Sequence, residues 1–187
     1  MKLVNLRKIH QGDYLSYYIA DYETKKKHIK SYEFVSRHHD LTMDTFGLLN
    51  PVGVSIVCIS LDNEKILLEK EFRLATNHWV YNFPAGLIDK DETPEIAAKR
   101  ELKEETGLDL LAIKQVLSSS YTSQVMSDEI MVTVVGIADG TIKDSDFEDE
   151  EIKARWYTKE EVKELLNEGA LMSARTQLFL YGWTNQK

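Results

Sequence analysis

The residues best suited to chemistry lie between Gly86 and Leu108, in the stretch GLIDKDETPEIAAKRELKEETGL. Glu101, Glu104 and Glu105 are spaced so that a helix brings all three to one face. Carboxylates at such offsets repel one another and weaken an isolated helix. The ordinary meaning of a triplet like this is a solvated acidic face. Here Ala98 and Leu102 supply the neighbouring apolar stripe, so the carboxylates flank the side that meets a core. A turn containing Pro84, Ala85 and Gly86 leads toward the helix and can bring backbone carbonyls close to them. Hard oxygen donors clustered in this way suit Mg²⁺ or Mn²⁺, and a cation would cancel the repulsion.

The rest of the chain must position that cluster. With 187 residues, 43% hydrophobic and 10% aromatic, it suits one compact domain, or one domain with a small appendage. Acids outnumber bases 31 to 23, for a net charge of −8, which argues against a nucleic-acid surface as the main function but leaves room for a local basic patch. The single cysteine, Cys58, excludes an intramolecular disulfide and fits a reducing compartment. No apolar run approaches a membrane span, and Met1 to Asp13 does not read as a signal peptide. The expected location is the cytoplasm, with no membrane or nucleic-acid partner.

Alternation predicts a hairpin from Tyr14–Tyr22 and Lys27–Arg37, with a turn over Thr24–Lys27. A hairpin alone is marginal in water and needs a packing partner. Val52–Ser60 is an apolar, β-branched run and reads as a buried strand. Further strands are expected at Lys65–Phe72, Trp79–Phe83, Gln115–Tyr121, Glu129–Ala138 and Ile152–Tyr157. Thr93 as N-cap, Pro94 at the first helical position and Gly107 just past the end bound the central helix. Two more helices are expected at Lys159–Asn167 and Leu171–Trp183, separated by Gly169. The result is an α/β (α+β) sandwich with a mixed sheet. The division expected is a 1–45 N-terminal β-strand region and a 46–187 domain that carries the glutamate cluster.

The glutamate stretch resembles the Nudix box: Gly, five residues, Glu, seven residues, then Arg-Glu-aliphatic-X-Glu-Glu-X-Gly-aliphatic. Gly86, Glu92, Arg100, Glu101, Leu102, Glu104, Glu105, Gly107 and Leu108 match every specified position. Seven of these demand one residue type, so chance at a given start is on the order of 10⁻⁸ at roughly 7% usage each. The resemblance implies an α/β/α Nudix sandwich and metal-dependent hydrolysis of a nucleoside diphosphate linked to another group. By position, Glu101, Glu104 and Glu105 would be metal ligands, joined by the Ala85 carbonyl, with Glu105 also counted as catalytic. Gly86, Glu92, Arg100 and Gly107 would be structural, and the four-residue offset lets Arg100 pair with Glu104. Pyrophosphate and a carboxylate cluster repel directly, whereas metal ions between them bridge phosphate oxygens and acidify bound water.

Beyond the box the chain is similar to the ADP-ribose pyrophosphatase branch. Glu71-Phe72-Arg73 resembles its Gln-Tyr-Arg, and Asn82-Phe83-Pro84-Ala85-Gly86 resembles its Glu-X-Pro-Ala-Gly. Tyr32–Arg37 resembles the strand that pairs subunits, and Glu148–Ile152 the loop that supplies the base. The branch's Ser-Pro-Gly is here Ser123-Gln124-Val125, followed by a matching Ser127-Asp128-Glu129. These matches imply Glu148 or Glu150 as catalytic base, and Arg73, Asn82, Glu129 and Arg37 as substrate-binding residues. Arg73 suits a phosphate clamp through its planar fork. Trp79 and Tyr81 are read as core aromatics, Cys58 as core, and His38-His39 as loop. The expected activity is cleavage of a nucleoside diphosphate sugar, ADP-ribose first, in a homodimer with Mg²⁺ (or Mn²⁺). The alternatives are a GDP-mannose-like hydrolase and a non-catalytic nucleotide-sugar sensor.

Overall fold

The structure is a computed structural model that describes residues 1–143 and 151–186. In chain order the elements are β1 (Lys2–Gln11), β2 (Ser16–Glu23), β3 (Ile29–Ser36), β4 (Gly53–Ile59), β5 (Lys65–Arg73), β6 (His78–Asn82), β7 (Ala85–Leu87), α1 (Pro94–Thr106), β8 (Asp109–Val116), β9 (Ser120–Tyr121), β10 (Ile130–Asp139), β11 (Ile152–Thr158), α2 (Lys159–Asn167) and α3 (Ala174–Thr184). They fall into two compact units: Met1–Val52 with Ser119–Met131, and Gly53–Ser118 with Val132–Lys187.

The first unit is a three-stranded antiparallel sheet in the order β1-β2-β3. The expected hairpin is present as β2 and β3, and β1 adds a strand that the sequence reading omitted. The reason lies in β1's burial: eight of its ten residues are exposed, so no apolar alternation announces it. Its pairing with β2 holds it instead. Tyr18, Ala20 and Phe34 form the unit's core, with Phe46 stacked on Phe34 at 4.8 Å between ring centroids. The buried Tyr18 hydroxyl donates to the carbonyls of His38 (2.9 Å) and His39 (2.6 Å), which ties down the loop after β3. The later segment returns to the same sheet: the Val35 amide donates to the Met126 carbonyl at 2.9 Å, and the Tyr32 hydroxyl donates to the Val125 carbonyl at 2.8 Å. Ser123 to Ser127, at the branch's Ser-Pro-Gly position, closes as a turn in which the Met126 and Ser127 amides both donate to the Ser123 carbonyl.

The second unit carries a mixed sheet in the order β11-β5-β4-β10-β8, with β6 paired to β5 and β7 to β4. Strict alternation divides its residues between two layers. Val54, Ile56 and Cys58 of β4, Leu67 of β5 and Val132 and Val134 of β10 pack with Ala97, Ala98 and Leu102 of α1. Val57, Ile66, Leu68 and Tyr157 pack on the opposite face with Val162 of α2 and Leu180 and Trp183 of α3. The α/β/α sandwich expected from the sequence is therefore present. Burial, together with the charge of Glu69, pushes the Cys58 thiol up to about 12.

The central helix has the predicted boundaries. Thr93 Oγ1 accepts from the Ile96 amide at 3.4 Å, and Gly107 takes φ 75° while its amide donates to the Lys103 carbonyl. The strand expected at Gln115–Tyr121 is displaced: β8 begins at Asp109 and ends at Val116, with a short β9 after it. The left-handed cap turns the chain straight into β8, placing Leu108 and Leu110 in the core. Helix α3 begins at Ala174, three residues later than expected, because Ser173 caps it by accepting from the Thr176 amide.

Candidate functional site

The whole Gly86–Leu108 stretch lies in the second unit. Strand β7 pairs with β4 in the register Val54↔Gly86 and Ser55↔Ala85, which fixes the turn at the sheet. Helix α1 turns Ala97, Ala98 and Leu102 into the core and thereby sets the direction of the glutamates beside them. Glu105 is itself buried, and its Oε2 accepts from the Ala85 amide at 3.1 Å. That bond links helix and turn directly. A Cβ built on Gly86 would overlap the Glu101 carboxylate, so the absent side chain makes the space Glu101 occupies.

Arg100 is the hub. Its Nε and Nη2 donate to the two oxygens of Glu92 at 3.0 and 2.8 Å, in a fork geometry. Nη2 also donates to the Leu87 carbonyl at 3.0 Å. Nη1 donates to Glu101 at 2.9 Å and Glu104 at 3.1 Å, the latter being the pair expected from the four-residue offset. Glu92 stands just before the N-cap; Arg100, followed by the Asp89 amide, holds its carboxyl below the usual carboxylate range. The same pairing raises Arg100 well above its ordinary value, Glu92 being the largest cause. One guanidinium thus offsets the mutual repulsion of Glu92, Glu101 and Glu104.

The donor set, two partly exposed carboxylates, a buried one and a neighbouring backbone turn, is chemically suited to a hard divalent cation. As the side chains stand, no three His, Cys, Asp or Glu groups among the described residues converge to hold one. Arg100 accounts for this, since it takes Glu101 and Glu104 as partners. Ligation therefore calls for rotation about the side-chain torsions of Glu101 and Glu104.

A second cluster sits on β5 and β6. Register places Leu67, Glu69, Glu71 and Arg73 on one face of β5 and Ile66, Leu68, Lys70 and Phe72 on the other. Glu69 and Glu71 are acidic side chains that are nonetheless buried. Asn82 Nδ2 donates to Glu71 Oε1 at 2.6 Å, and Arg73 Nε lies 2.9 Å from Glu71 Oε2. Thr176 Oγ1 donates to Asn82 Oδ1 at 3.2 Å. The sequence reading singled out Arg73 and Asn82 but not Glu69 or Thr176. The usable signal was acid residues at core-facing positions of a buried strand. Tyr81 packs with the α2/α3 layer, and Trp79 meets Phe72 edge-on at 5.7 Å, both on the face opposite Glu71.

In the first unit Arg37 Nε donates to Glu129 Oε1 at 2.7 Å, and Thr122 Oγ1 donates to Glu129 Oε2 at 2.7 Å. These two expected substrate residues, Arg37 and Glu129, are therefore partners of one another. His39 Nδ1 lies 2.8 Å from Ser16 Oγ in the loop. Glu148 and Glu150, the expected bases, lie outside the described residues. No helix among the described residues is long and apolar enough to cross a membrane.

Comparison with known proteins adds four findings. A family model described as NUDIX domain matches residues 49–176. The ADP-ribose pyrophosphatase of Bacillus subtilis is 28% identical over 130 residues, covering 70% of this chain; the chain spans only 62% of that relative's length. The GDP-mannose pyrophosphatase of Cronobacter sakazakii is 30% identical over 139 residues, covering 68% of this chain and 71% of the relative. In fold, a solved structure described as the crystal structure of ADP compounds hydrolase matches with a TM-score of 0.72 at 20% identity, over 97% of this chain and 91% of that one.

Proposed function

The chain belongs to the Nudix family, and on that premise we propose that it hydrolyses the pyrophosphate of a nucleoside diphosphate sugar, with ADP-ribose as first candidate. The observation that carries the reading is the box itself: three glutamates on α1, tied by Glu105 to the Ala85 turn and by Arg100 to Glu92. Glu101, Glu104, Glu105 and the Ala85 carbonyl are the proposed metal ligands, and Mg²⁺ the proposed ion, with Mn²⁺ as substitute. A bound divalent ion would neutralise phosphate charge and acidify a water. Arg73 is proposed to bind a phosphate oxygen with its outward guanidinium edge while its Nε stays on Glu71. Glu148 or Glu150 is proposed to take the proton from the attacking water. The water oxygen adds to one phosphorus, the bridging P–O bond breaks, and a nucleoside monophosphate and a sugar phosphate leave.

A GDP-mannose-like substrate is the second reading, favoured by 30% identity to a GDP-mannose pyrophosphatase and by Gln124-Val125 in place of the branch's Pro-Gly. A homodimer through the first unit is proposed on the exposed Val4, Ile9, Ile29 and Tyr32 of its sheet. A cytoplasmic setting is proposed on the lone reduced thiol, Cys58. The test is a panel of ADP-ribose, GDP-mannose and related nucleotide sugars, with Mg²⁺, scored by phosphate released through a coupled phosphatase. Turnover abolished by chelator and by Glu105→Gln supports the reading. No turnover of any member, with ligand still bound, transfers the protein to the sensor class.

A further inference from the structure

The branch that the sequence resembles carries an amide in its Gln-Tyr-Arg strand and an acid in its Glu-X-Pro-Ala-Gly strand. This chain has the reverse, Glu71 on β5 and Asn82 on β6. The two side chains meet: Asn82 Nδ2 donates to Glu71 Oε1 at 2.6 Å. The hydrogen bond between the strands is thus made with the carboxylate on β5 and the amide on β6. From this bond and the Arg73–Glu71 pair at 2.9 Å we infer that Glu71 is the positioning residue for Arg73.

A connected run of donors supports this. Thr176 is buried and its Oγ1, in contact with Ser173 Oγ at 2.8 Å, donates to Asn82 Oδ1 at 3.2 Å. That bond turns the Asn82 amide so that Nδ2 faces Glu71, the only orientation a pure acceptor allows. Glu71 then accepts from Asn82 on one oxygen and from Arg73 Nε at 2.9 Å on the other. The order runs from the cap of α3 to the guanidinium. Glu71's side chain is 11% exposed while that of Arg73 is 52% exposed, so the acid is held by the interior and the arginine reaches outward from it. A guanidinium held at Nε keeps its outer edge available for a second anion.

Glutamine at position 71 cannot do the same. It has one acceptor oxygen, so with Thr176 donating to Asn82 Oδ1 as it does here, either Asn82 or Arg73 would face its NH₂ group, donor against donor. Adding Asn82→Asp repairs the pattern. The glutamine amide then donates to the new carboxylate on β6, which also accepts from Thr176, and the glutamine oxygen accepts from Arg73. The double exchange leaves the net charge unchanged and the side-chain volumes nearly so.

Four variants test this: Glu71→Gln, Glu71→Gln with Asn82→Asp, Arg73→Ala, and Glu71→Gln with Arg73→Ala. The first readout needs no turnover. The Arg73 Nε–H resonance, identified by its loss in Arg73→Ala, should exchange with solvent at least about tenfold faster in Glu71→Gln and return toward wild type in the double variant. The second rests on the pyrophosphohydrolase reading: KM for ADP-ribose should rise about 5- to 10-fold in Glu71→Gln and recover in the double variant. In an Arg73→Ala background Glu71→Gln should add nothing. Unchanged Nε–H exchange in Glu71→Gln, failure of the double variant to recover, or additivity with Arg73→Ala overturns the assignment. If wild-type protein turns over no nucleotide sugar, the functional reading falls and Nε–H exchange alone decides the role of Glu71.

Discussion

Replacing Arg100 with alanine should separate the fold from the chemistry. The substitution removes five hydrogen bonds, two to Glu92 and one each to Glu101, Glu104 and the Leu87 carbonyl. Charge-assisted bonds are individually strong, but these share one guanidinium whose side chain is 27% exposed, so they do not add and solvent screens them. The expected loss is about 3 kcal/mol, between that of an exposed pair and that of a broken buried one. For a chain of this size that lowers Tm by about 6–12 °C. The carboxylates that Arg100 neutralised then repel one another, so a divalent ion should stabilise the variant more than the wild type. Differential scanning fluorimetry with EDTA and with millimolar Mg²⁺ reads both effects. The pH arm has a definite sign. Arg100 holds the folded-state Glu92 carboxyl below its ordinary 4.5, so its contribution is present above that value and lost as pH falls through the folded-state one. Wild-type stability should therefore fall more steeply than the variant's as pH drops below about 4.5. A Tm change under about 2 °C, or a Mg²⁺ shift no larger than in wild type, would refute the hub argument.

Other expectations are smaller in scope. Gly86→Ala should displace the Glu101 carboxylate, a flexible end, leaving Tm within about 3 °C but raising the Mg²⁺ needed for half-maximal turnover roughly tenfold. Gly107→Ala should cost about 1–2 kcal/mol in urea unfolding, because φ is 75° and the new Cβ would lie 3.0 Å from the Thr141 carbonyl. Glu105→Gln can still accept from the Ala85 amide and should stay folded by circular dichroism while turnover falls at least about a hundredfold. Cys58, with its thiol raised to about 12, should ignore a disulfide reagent at about pH 8 in the native protein and react promptly in denaturant.

The sandwich and the α1 boundaries were legible because their signals are local. Thr93, Pro94 and Gly107 report their own backbone needs, and the apolar run of β4 reports burial on both faces. Strand β1 was not legible, since a strand exposed along most of its length has no apolar period and is held by pairing that only the fold reveals. The box residues were legible from spacing, yet the extent of Arg100's reach to Glu92 and Leu87 was not, because it depends on where the turn before α1 returns. The Glu71–Asn82 pair was visible only as two separate resemblances, one to Gln-Tyr-Arg and one to Glu-X-Pro-Ala-Gly. Their meeting is a matter of cross-strand register, in which Glu69 faces Asn82 and Glu71 faces Val80.

The amide of Val35 and the hydroxyl of Tyr32 find their acceptors at Met126 and Val125. The first unit is thus discontinuous in the chain, and its β3 edge cannot be closed while only the first 52 residues exist. During synthesis that edge waits for about 80 further residues, roughly 4–16 s at ordinary elongation rates. Over that interval Phe34 and Tyr18 have partners within β1 to β3 but the sheet has an open side, the situation in which strands recruit foreign edges. Completion of the N-terminal sheet is thereby made conditional on delivery of α1, and a nascent chain that stalls after α1 would present the box without a finished first unit.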